Sequence, residues 1–177
     1  IADIIFNFGE EKRARRIARA IAQARKITPI TRTLQLAQIV RRCFPGTRLR
    51  GSIDNATRTF QALRIFINDE LGELERGLNA TEKLLKKGGV IAVVSFHSLE
   101  DRIVKQFFIN RSRENSGFSR HSPPQLNKKA PSLAITSKRP TRPSKTEARA
   151  NPRARSARLR VATKIGALSD KTDNQPS

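Results

Sequence analysis

The chain has 177 residues, a formal net charge of +21 at pH 7 and one cysteine, Cys43. A single cysteine excludes an internal disulfide and a cysteine-based zinc cluster, and no metal site is predicted. No apolar stretch approaches the roughly 18 residues that a membrane-spanning helix needs. The positive charge predicts a polyanionic partner, for which nucleic acid is favoured over an anionic membrane surface.

The start of the sequence gives two expectations, one about whether the chain is a fragment and one about its cellular location. The chain begins at Ile1 and contains no methionine, so we expect a fragment of a longer protein. No signal peptide is recognisable at this start, which favours a cytoplasmic location.

Positive charge lies mainly at the two flanks of the sequence. Residues 1–50 carry 12 basic and 3 acidic side chains, residues 51–110 carry 8 of each, and residues 111–164 carry 15 basic and 2 acidic ones. A neutral middle between basic flanks predicts a folded core along which a polyanion lies.

The first flank predicts a small helical layer. Alanine and isoleucine recur at helical spacing from Glu10 to Lys26, and a second helix is predicted to start with a cap at Thr31 or Thr33 and to end before Pro45. The arginines on the polar face of the first helix fit either a solvated surface or phosphate contacts. Their excess over nearby acids favours phosphate contact by Arg15, Arg16 and Arg19.

A long helix is predicted after Asp54, which can cap it, with apolar residues every three or four positions from Phe60 to Leu78. A break is expected near Asn68, or at a glycine further on. Arg58 and Arg64 lie on or beside another face, where a polar surface and an RNA contact are equally compatible with the spacing.

The segment from Gly88 to Arg102 predicts a helix end, a strand and a new helix. The apolar run Val90–Val94 is typical of a central strand that is buried on both faces of a parallel sheet, and Ser98 can cap the helix that follows. Ligands bind beyond the carboxyl ends of such strands, so four residues stand where a ligand site is expected. They are Ser95, Phe96, His97 and Ser98. His97 taken alone is more often a structural histidine, and the absence of a Gly-x-Ser-x-Gly elbow argues against acyl transfer.

The last third of the sequence predicts less regular structure. A flexible basic loop is expected at about 110–130, a short strand at 133–135 and a capping box at Ser144–Glu147. Alternation from Ala157 to Lys164 predicts a strand with one solvated basic face, and residues 166–177 are predicted to be a disordered tail.

Three segments together resemble the bacterial MraW-type ribosomal RNA methyltransferases. They are Asn55–Ile65 (NATRTFQALRI), Ser95–Arg102 (SFHSLEDR) after Gly88-Gly89, and Asn151–Arg160 (NPRARSARLR). The segment that starts at Phe8-Gly9 is similar to a helical part of the same family. One departure is Asp54-Asn55, where the family commonly has His-Pro.

The resemblance implies an α/β fold, namely the second half of a class I (Rossmann-like), S-adenosylmethionine-dependent methyltransferase sheet. Residues 1–53 would be the end of a helical substrate-recognition insertion, and residues 54–165 the C-terminal half of the methyltransferase domain. The glycine-rich cofactor loop of the family is absent from this sequence. The S-adenosylmethionine site is therefore expected in the missing N-terminal half, and no cofactor-binding residue is assigned in this chain.

The implied activity is N4-methylation of a cytidine in the decoding region of small-subunit (16S) ribosomal RNA, and the fragment is expected to be inactive alone. Phe96 would stack on the extruded base, and His97 or Ser98 would hydrogen-bond it or a phosphate. Five arginines would hold backbone phosphates: Arg58, Arg64, Arg102, Arg153 and Arg155. The expected partner is ribosomal RNA or the ribosomal subunit, and a homodimer stays open. The alternative is a non-catalytic, basic RNA-binding or ribosome-associated module.

Overall fold

The computed structural model describes residues 1–45, 54–112 and 130–165, which fall into two compact units, Ile1–Glu70 and Leu71–Ser177. The predicted basic loop at 110–130 lies mostly outside the described residues, and the predicted tail at 166–177 lies wholly outside them. Among the described helices, none is long and apolar enough to cross a membrane.

The first unit is built from helices around one apolar core. Its described helices are α1 (Ala2–Gly9), α2 (Ala14–Ile27), α3 (Thr33–Arg42) and α4 (Thr57–Asn68). Ile5, Ile17 and Val40, one from each of the first three helices, are completely buried. This confirms the predicted helical layer and adds α1, which the spacing of polar residues did not reveal.

The start of α2 differs from the prediction of a helix from Glu10. Glu10 adopts a left-handed conformation (φ 49°) and ends α1, and α2 begins only at Ala14. The Glu11 side chain accepts a hydrogen bond from the Arg13 amide at 2.8 Å and is buried. The two glutamates therefore form a turn between helices rather than the first turn of one.

The start of α3 also differs in detail, because its cap comes from within the helix. Neither Thr31 nor Thr33 provides the cap. Gln35 Oε1 instead accepts hydrogen bonds from the amides of Thr31 and Arg32, each at 3.0 Å. The amide side chain thereby satisfies two backbone donors that precede the helix.

The predicted long helix breaks where expected. Asp69 is left-handed (φ 48°), so α4 ends at Asn68 and α5 runs over Glu70–Leu84. α4 packs closely on α1, since a Cβ added at Gly9 would lie 2.7 Å from the Arg58 carbonyl oxygen. α4 thus belongs to the first unit, which ends at Glu70.

The second unit combines helices with a small sheet. After α5 follow β1 (Val90–Ser95), α6 (Ser98–Ser112), β2 (Leu133–Ile135), α7 (Lys145–Ala150), a 3₁₀ helix (Pro152–Ser156) and β3 (Arg158–Lys164). The strand order is β1-β3-β2, and β3 is antiparallel to both neighbours. The α/β class is confirmed for this small sheet, together with the strand at 133–135.

β1 is not the doubly buried strand of a parallel sheet that its apolar run predicts. Among the described strands it pairs only with β3, and its burial alternates: Ile91 is 5% exposed, whereas Val90 and Val94 are 58% and 53% exposed. The covered face packs on residues such as Phe108 of α6. An apolar run indicates that either face of a strand can be buried, and only tertiary packing decides which face is covered.

The basic residues of β3 lie on the opposite face from that predicted. Arg160 is only 9% exposed, and its neighbour on the same face, Ala162, is fully buried. Leu159 and Val161 lie on the other face and stay partly exposed. The predicted solvated basic face is therefore wrong, because the arginines of this strand have an acidic partner inside the unit.

That partner is Asp101, in the first turn of α6. Arg160 donates from Nε to Asp101 Oδ1 at 2.7 Å and from Nη2 to Oδ2 at 3.1 Å, and Arg158 Nη1 donates to Oδ2 at 2.8 Å. Burial by itself would raise the pKa of Asp101, but these charge-assisted hydrogen bonds outweigh it and hold the pKa below its usual value. Asp101 therefore stays ionised and ties α6 to β3.

We expect Asp101→Asn to lower the free energy of unfolding at pH 7 by about 3 kcal/mol, because it leaves a buried guanidinium without its charge partner. The measurement is urea denaturation followed by circular dichroism. The matched control is Glu73→Gln, whose ion pair with Arg76 is exposed and should contribute less than about 1 kcal/mol.

The pH dependence of this difference has a defined sign. A carboxyl group whose pKa is lower in the folded than in the unfolded state contributes its full stabilisation at pH values above the unfolded-state pKa. That contribution is lost as the pH falls through the folded-state pKa. The difference between wild type and Asp101→Asn should therefore be constant from about pH 7 to 5 and shrink only below about pH 4. A difference that shrank between pH 7 and 5 would contradict the assignment.

Candidate functional site

The candidate site lies at the end of β1 in the second unit. Ser95, the last residue of β1, pairs with Arg158, the first residue of β3. Because the strands are antiparallel, the turn that follows β1 lies beside the 3₁₀ helix that leads into β3. Two of the segments on which the family resemblance rests, SFHSLEDR and NPRARSARLR, therefore meet at one end of the sheet.

The turn after β1 is held by a reciprocal cap. Glu100 Oε2 accepts hydrogen bonds from the amides of Phe96 (2.8 Å) and His97 (3.2 Å), and His97 Nδ1 accepts one from the Glu100 amide at 3.3 Å. This is the arrangement of a capping box, with histidine at the capping position just before α6. His97 thus takes a capping role that the sequence analysis expected one residue later, at Ser98.

The environment of the His97 ring is nearly dry. The side chain is 10% exposed, and Nε2 lies 3.0 Å from Glu100 Oε1 without suitable hydrogen-bonding geometry to it or to any other described residue. Burial would raise the pKa of Glu100, but the contacts with His97 and the two backbone amides lower it on balance. Glu100 is therefore ionised and fixes the turn, which supports a structural role for His97.

The four candidate residues at the end of β1, Ser95 to Ser98, differ in accessibility. Ser95 is 3% exposed and its hydroxyl donates to the Arg158 carbonyl oxygen at 3.4 Å. His97 and Ser98 are partly buried, whereas Phe96 is 55% exposed. Phe96 is thus the candidate that presents a large face to an incoming molecule.

Three candidate arginines belong to the same unit as this turn. Arg102 is exposed on α6, and Arg153 and Arg155 are exposed on the 3₁₀ helix. Asn151 Oδ1 accepts a hydrogen bond from the Arg153 amide at 3.2 Å and so starts that helix. The neighbouring Arg158 and Arg160 form ion pairs with Asp101. The motif NPRARSARLR therefore contains two structural arginines and two exposed ones.

The remaining candidate arginines belong to the first unit. Arg15, Arg16 and Arg19 are exposed on α2. Arg58 Nη1 lies 3.7 Å from Glu11 Oε2, and Arg64 forms a two-pronged pair with Glu70, with N···O distances of 2.7 and 3.1 Å. Arg64 is therefore less available to a phosphate than the α2 arginines are.

The family departure at Asp54 has a structural role in this chain. Its Oδ1 accepts from the Ala56 amide at 2.9 Å, as predicted for a residue at a helix start, and Oδ2 accepts from Arg41 Nε at 3.1 Å. The hydrogen bond from Arg41 is the main reason that the pKa of Asp54 is lowered. Asp54 thus links the start of α4 to the end of α3.

The sequence analysis assigns no role to Glu100 or Asp101, although each of these acidic residues organises a separate part of the site. One signal in the sequence could have identified them: they are the two acidic residues in SFHSLEDR and NPRARSARLR, whose other charged residues are basic. Among the described residues, no group of three or more His, Cys, Asp or Glu could hold a metal ion.

Comparison with known proteins places these features in a family. The sequence model of the MraW methylase family matches residues 1–165. The ribosomal RNA small subunit methyltransferases H of Paramagnetospirillum magneticum and of Methylobacterium sp. are each 54% identical to the chain and cover 94% of it, which is 52% and 49% of their own lengths. That of Gluconobacter oxydans is 52% identical over 91% of the chain and 49% of its own length.

The chain thus spans about half the length of the curated relatives that it matches. The matched region contains the first unit, the second unit up to residue 165, and all three motifs described above. On this evidence the chain belongs to the MraW methylase family.

Proposed function

We propose that the chain is the RNA-facing part of an S-adenosylmethionine-dependent methyltransferase that modifies N4 of a cytidine in the decoding region of 16S ribosomal RNA. The names of the relatives support ribosomal RNA of the small subunit as the substrate class. The observation that carries the proposal is the convergence of exposed Phe96 with exposed Arg153 and Arg155 at one end of the sheet.

An exocyclic amine becomes reactive only when its base leaves the stack and is aligned with the methyl donor. An exposed aromatic ring offers a face to an unstacked base, and arginines hold the flanking phosphates. In this chain Glu100 fixes the backbone of the turn that bears Phe96 before RNA arrives. S-adenosylmethionine supplies the methyl group when it is bound.

The acids near the candidate site do not suit the ribose of that cofactor. A dinucleotide-type site uses a free carboxylate for ribose hydroxyls and a glycine-rich turn for close backbone approach. Here Glu100 is engaged by backbone amides and Asp101 by two arginines. We therefore place the cofactor site in the part of the relatives that this chain does not span.

The exposed apolar face of the sheet supports the proposal that the sheet is part of a larger Rossmann-like layer in the whole enzyme. Val90 and Val94 of β1 are more than half exposed, and they share a face with Leu159 and Val161 of β3, which are partly exposed. An apolar sheet face of this kind is normally covered. In this proposal residues 1–53 are the end of a substrate-recognition insertion, and the enzyme works in the cytoplasm, where ribosomal RNA is modified.

The proposed activity can be tested with a chimera that joins the N-terminal half of the Paramagnetospirillum magneticum relative to this chain. We expect the chimera to transfer methyl groups from labelled S-adenosylmethionine to small-subunit ribosomal RNA and to form N4-methylcytidine, measured by mass spectrometry of the nucleosides. The unmodified relative is the positive control. A folded chimera that binds RNA without methylating it would favour the non-catalytic RNA-binding module.

A separate calorimetric titration tests the location of the cofactor site. The chain alone should show no heat of binding when titrated with S-adenosylmethionine, because its acids at the candidate site are already engaged. Binding in the micromolar range would contradict this assignment.

Phe96→Ala in the chimera should lower the single-turnover rate of methylation by about 10- to 100-fold, since stacking of one base on an aromatic ring contributes about 1–3 kcal/mol. The control is Phe6→Ala, which removes an equally exposed ring (59% exposed) from the first unit. Equal rates for Phe96→Ala and the wild-type chimera would exclude a stacking role.

Exchanging Arg153 and Arg155 for glutamine should weaken RNA binding and reduce the slope of log affinity against log salt by about 1.4, or about 0.7 for each lost phosphate contact. Binding is measured by fluorescence anisotropy with single-stranded RNA. The matched control exchanges Lys145 and Arg149 of the adjacent α7, which are also exposed. If both double variants reduce the slope equally, the effect is one of net charge and the specific role fails.

A further inference from the structure

α2 and α3 enclose a groove in the first unit that is independent of the site at the end of β1. Its volume is about 320 Å³. α2 contributes one face of its surface, with residues spaced by three or four, and α3 contributes its last turn. The lining residues are Arg16, Arg19, Ala20, Gln23, Ala24, Ile39, Arg42 and Cys43.

The groove has a charged rim and an apolar floor. Arg16, Arg19 and Arg42 are exposed arginines. The floor is apolar, since Ala20, Ala24 and Ile39 line the groove and are partly buried. The thiol of Cys43 is buried and donates to the Ile39 carbonyl oxygen at 3.5 Å, so it has an internal partner.

Three other arginines of the same unit have structural roles, so not every basic side chain of this unit is equally available to a ligand. Arg13 donates to the Cys43 carbonyl oxygen at 3.2 Å and lies over the Phe44 ring at 4.7 Å. Arg41 pairs with Asp54, and Arg64 pairs with Glu70. The hydrogen bond from Arg13 also covers the Cys43 carbonyl at the C-terminal end of α3, where an anion would otherwise be repelled.

The chemistry of the groove fits one nucleotide of a single-stranded RNA. Guanidinium groups bind phosphate oxygens in a planar, two-pronged geometry, and Gln23 adds an amide donor and acceptor. The volume lies at the lower end of the range for small-ligand sites, about 300–1,000 Å³. The apolar floor matches a ribose or a base face better than it matches a free inorganic anion.

We propose that the α2–α3 groove is a second RNA-binding site, in which Arg16, Arg19 and Arg42 bind a phosphate of single-stranded RNA and the alanine floor accepts the attached nucleoside. It deepens the proposed function, on which the choice of RNA rests, and it assigns roles to Arg42, Gln23 and Ala24 that the sequence analysis did not. Its consequence is that RNA binding depends on the shape of the groove as well as on its charge.

The test uses the intact 177-residue chain and three variants. One exchanges Arg16, Arg19 and Arg42 for glutamine and so removes the rim charges. The second, Ala24→Leu, fills the floor and keeps every charge. The third exchanges Lys12, Arg25 and Lys26 for glutamine, which removes the same charge from exposed positions outside the groove.

Binding of a short fluorescein-labelled single-stranded RNA is followed by anisotropy at several salt concentrations, and folding of each variant is checked by circular dichroism. The rim variant should bind about tenfold more weakly or worse at about 0.1 M salt, with the slope of log affinity against log salt reduced by about 0.7, the value for one lost phosphate contact. Ala24→Leu should lower the affinity about three- to tenfold, an effect of filling the space alone. The control variant should change the affinity less than about threefold.

Three results would overturn the proposal: a control variant as weak as the rim variant, an unchanged affinity for Ala24→Leu, or equal competition by double-stranded RNA. Each would reduce the groove to part of a diffuse positive surface. Methyl transfer by the chimera is measured separately. An inactive chimera whose groove variants behave as expected would contradict the proposed function and leave the groove assignment standing.

Discussion

The carboxylate of Asp101 is the constraint on which the second unit depends. It is buried in the first turn of α6 and receives three hydrogen bonds from Arg158 and Arg160, which lie 57 and 59 residues further along the chain. A buried charge is tolerated only when its partners are in place, so α6 and β3 are compatible with one relative position. That position sets Ser95 opposite Arg158 and brings the turn bearing Phe96 beside the helix bearing Arg153. The geometry of the candidate site therefore depends on an ion cluster that is itself buried.

The excess of basic residues divides into two groups with different roles. Some arginines are paired inside their units, as Arg160 is with Asp101 and Arg64 with Glu70, and their charge serves the fold. Others, including those on the 3₁₀ helix and on the rim of the α2–α3 groove, are exposed. In the proposed function only the second group binds phosphate. A net charge therefore overstates the number of RNA contacts, and the acids decide which arginines remain available.

Local signals in the sequence predicted much of the secondary structure. The break at Asp69, the strand at 133–135 and the cap of α7, where Ser144 Oγ accepts from the Glu147 amide at 3.0 Å, are all confirmed. These features depend on backbone conformation and on hydrogen bonds within a few residues. Two predictions that failed concern longer range: the burial of β1 and the solvated face of β3. Each of them depends on what packs against the segment, which its own composition does not contain.

The sequence by itself determined the family, through three motifs in order, and the residue types from which a nucleic-acid site could be built. It also indicated most of the helices and strands, because capping and apolar spacing act locally, although the starts of α2 and α3 differ from the prediction. Only the tertiary structure decided which face of each strand is covered, which arginines are paired and which remain exposed. The physical reason is that burial and ion pairing join residues far apart in the chain, as Asp101 joins Arg160. The same pattern of apolar and basic residues along β3 is compatible with either face, until α6 places a carboxylate on one of them.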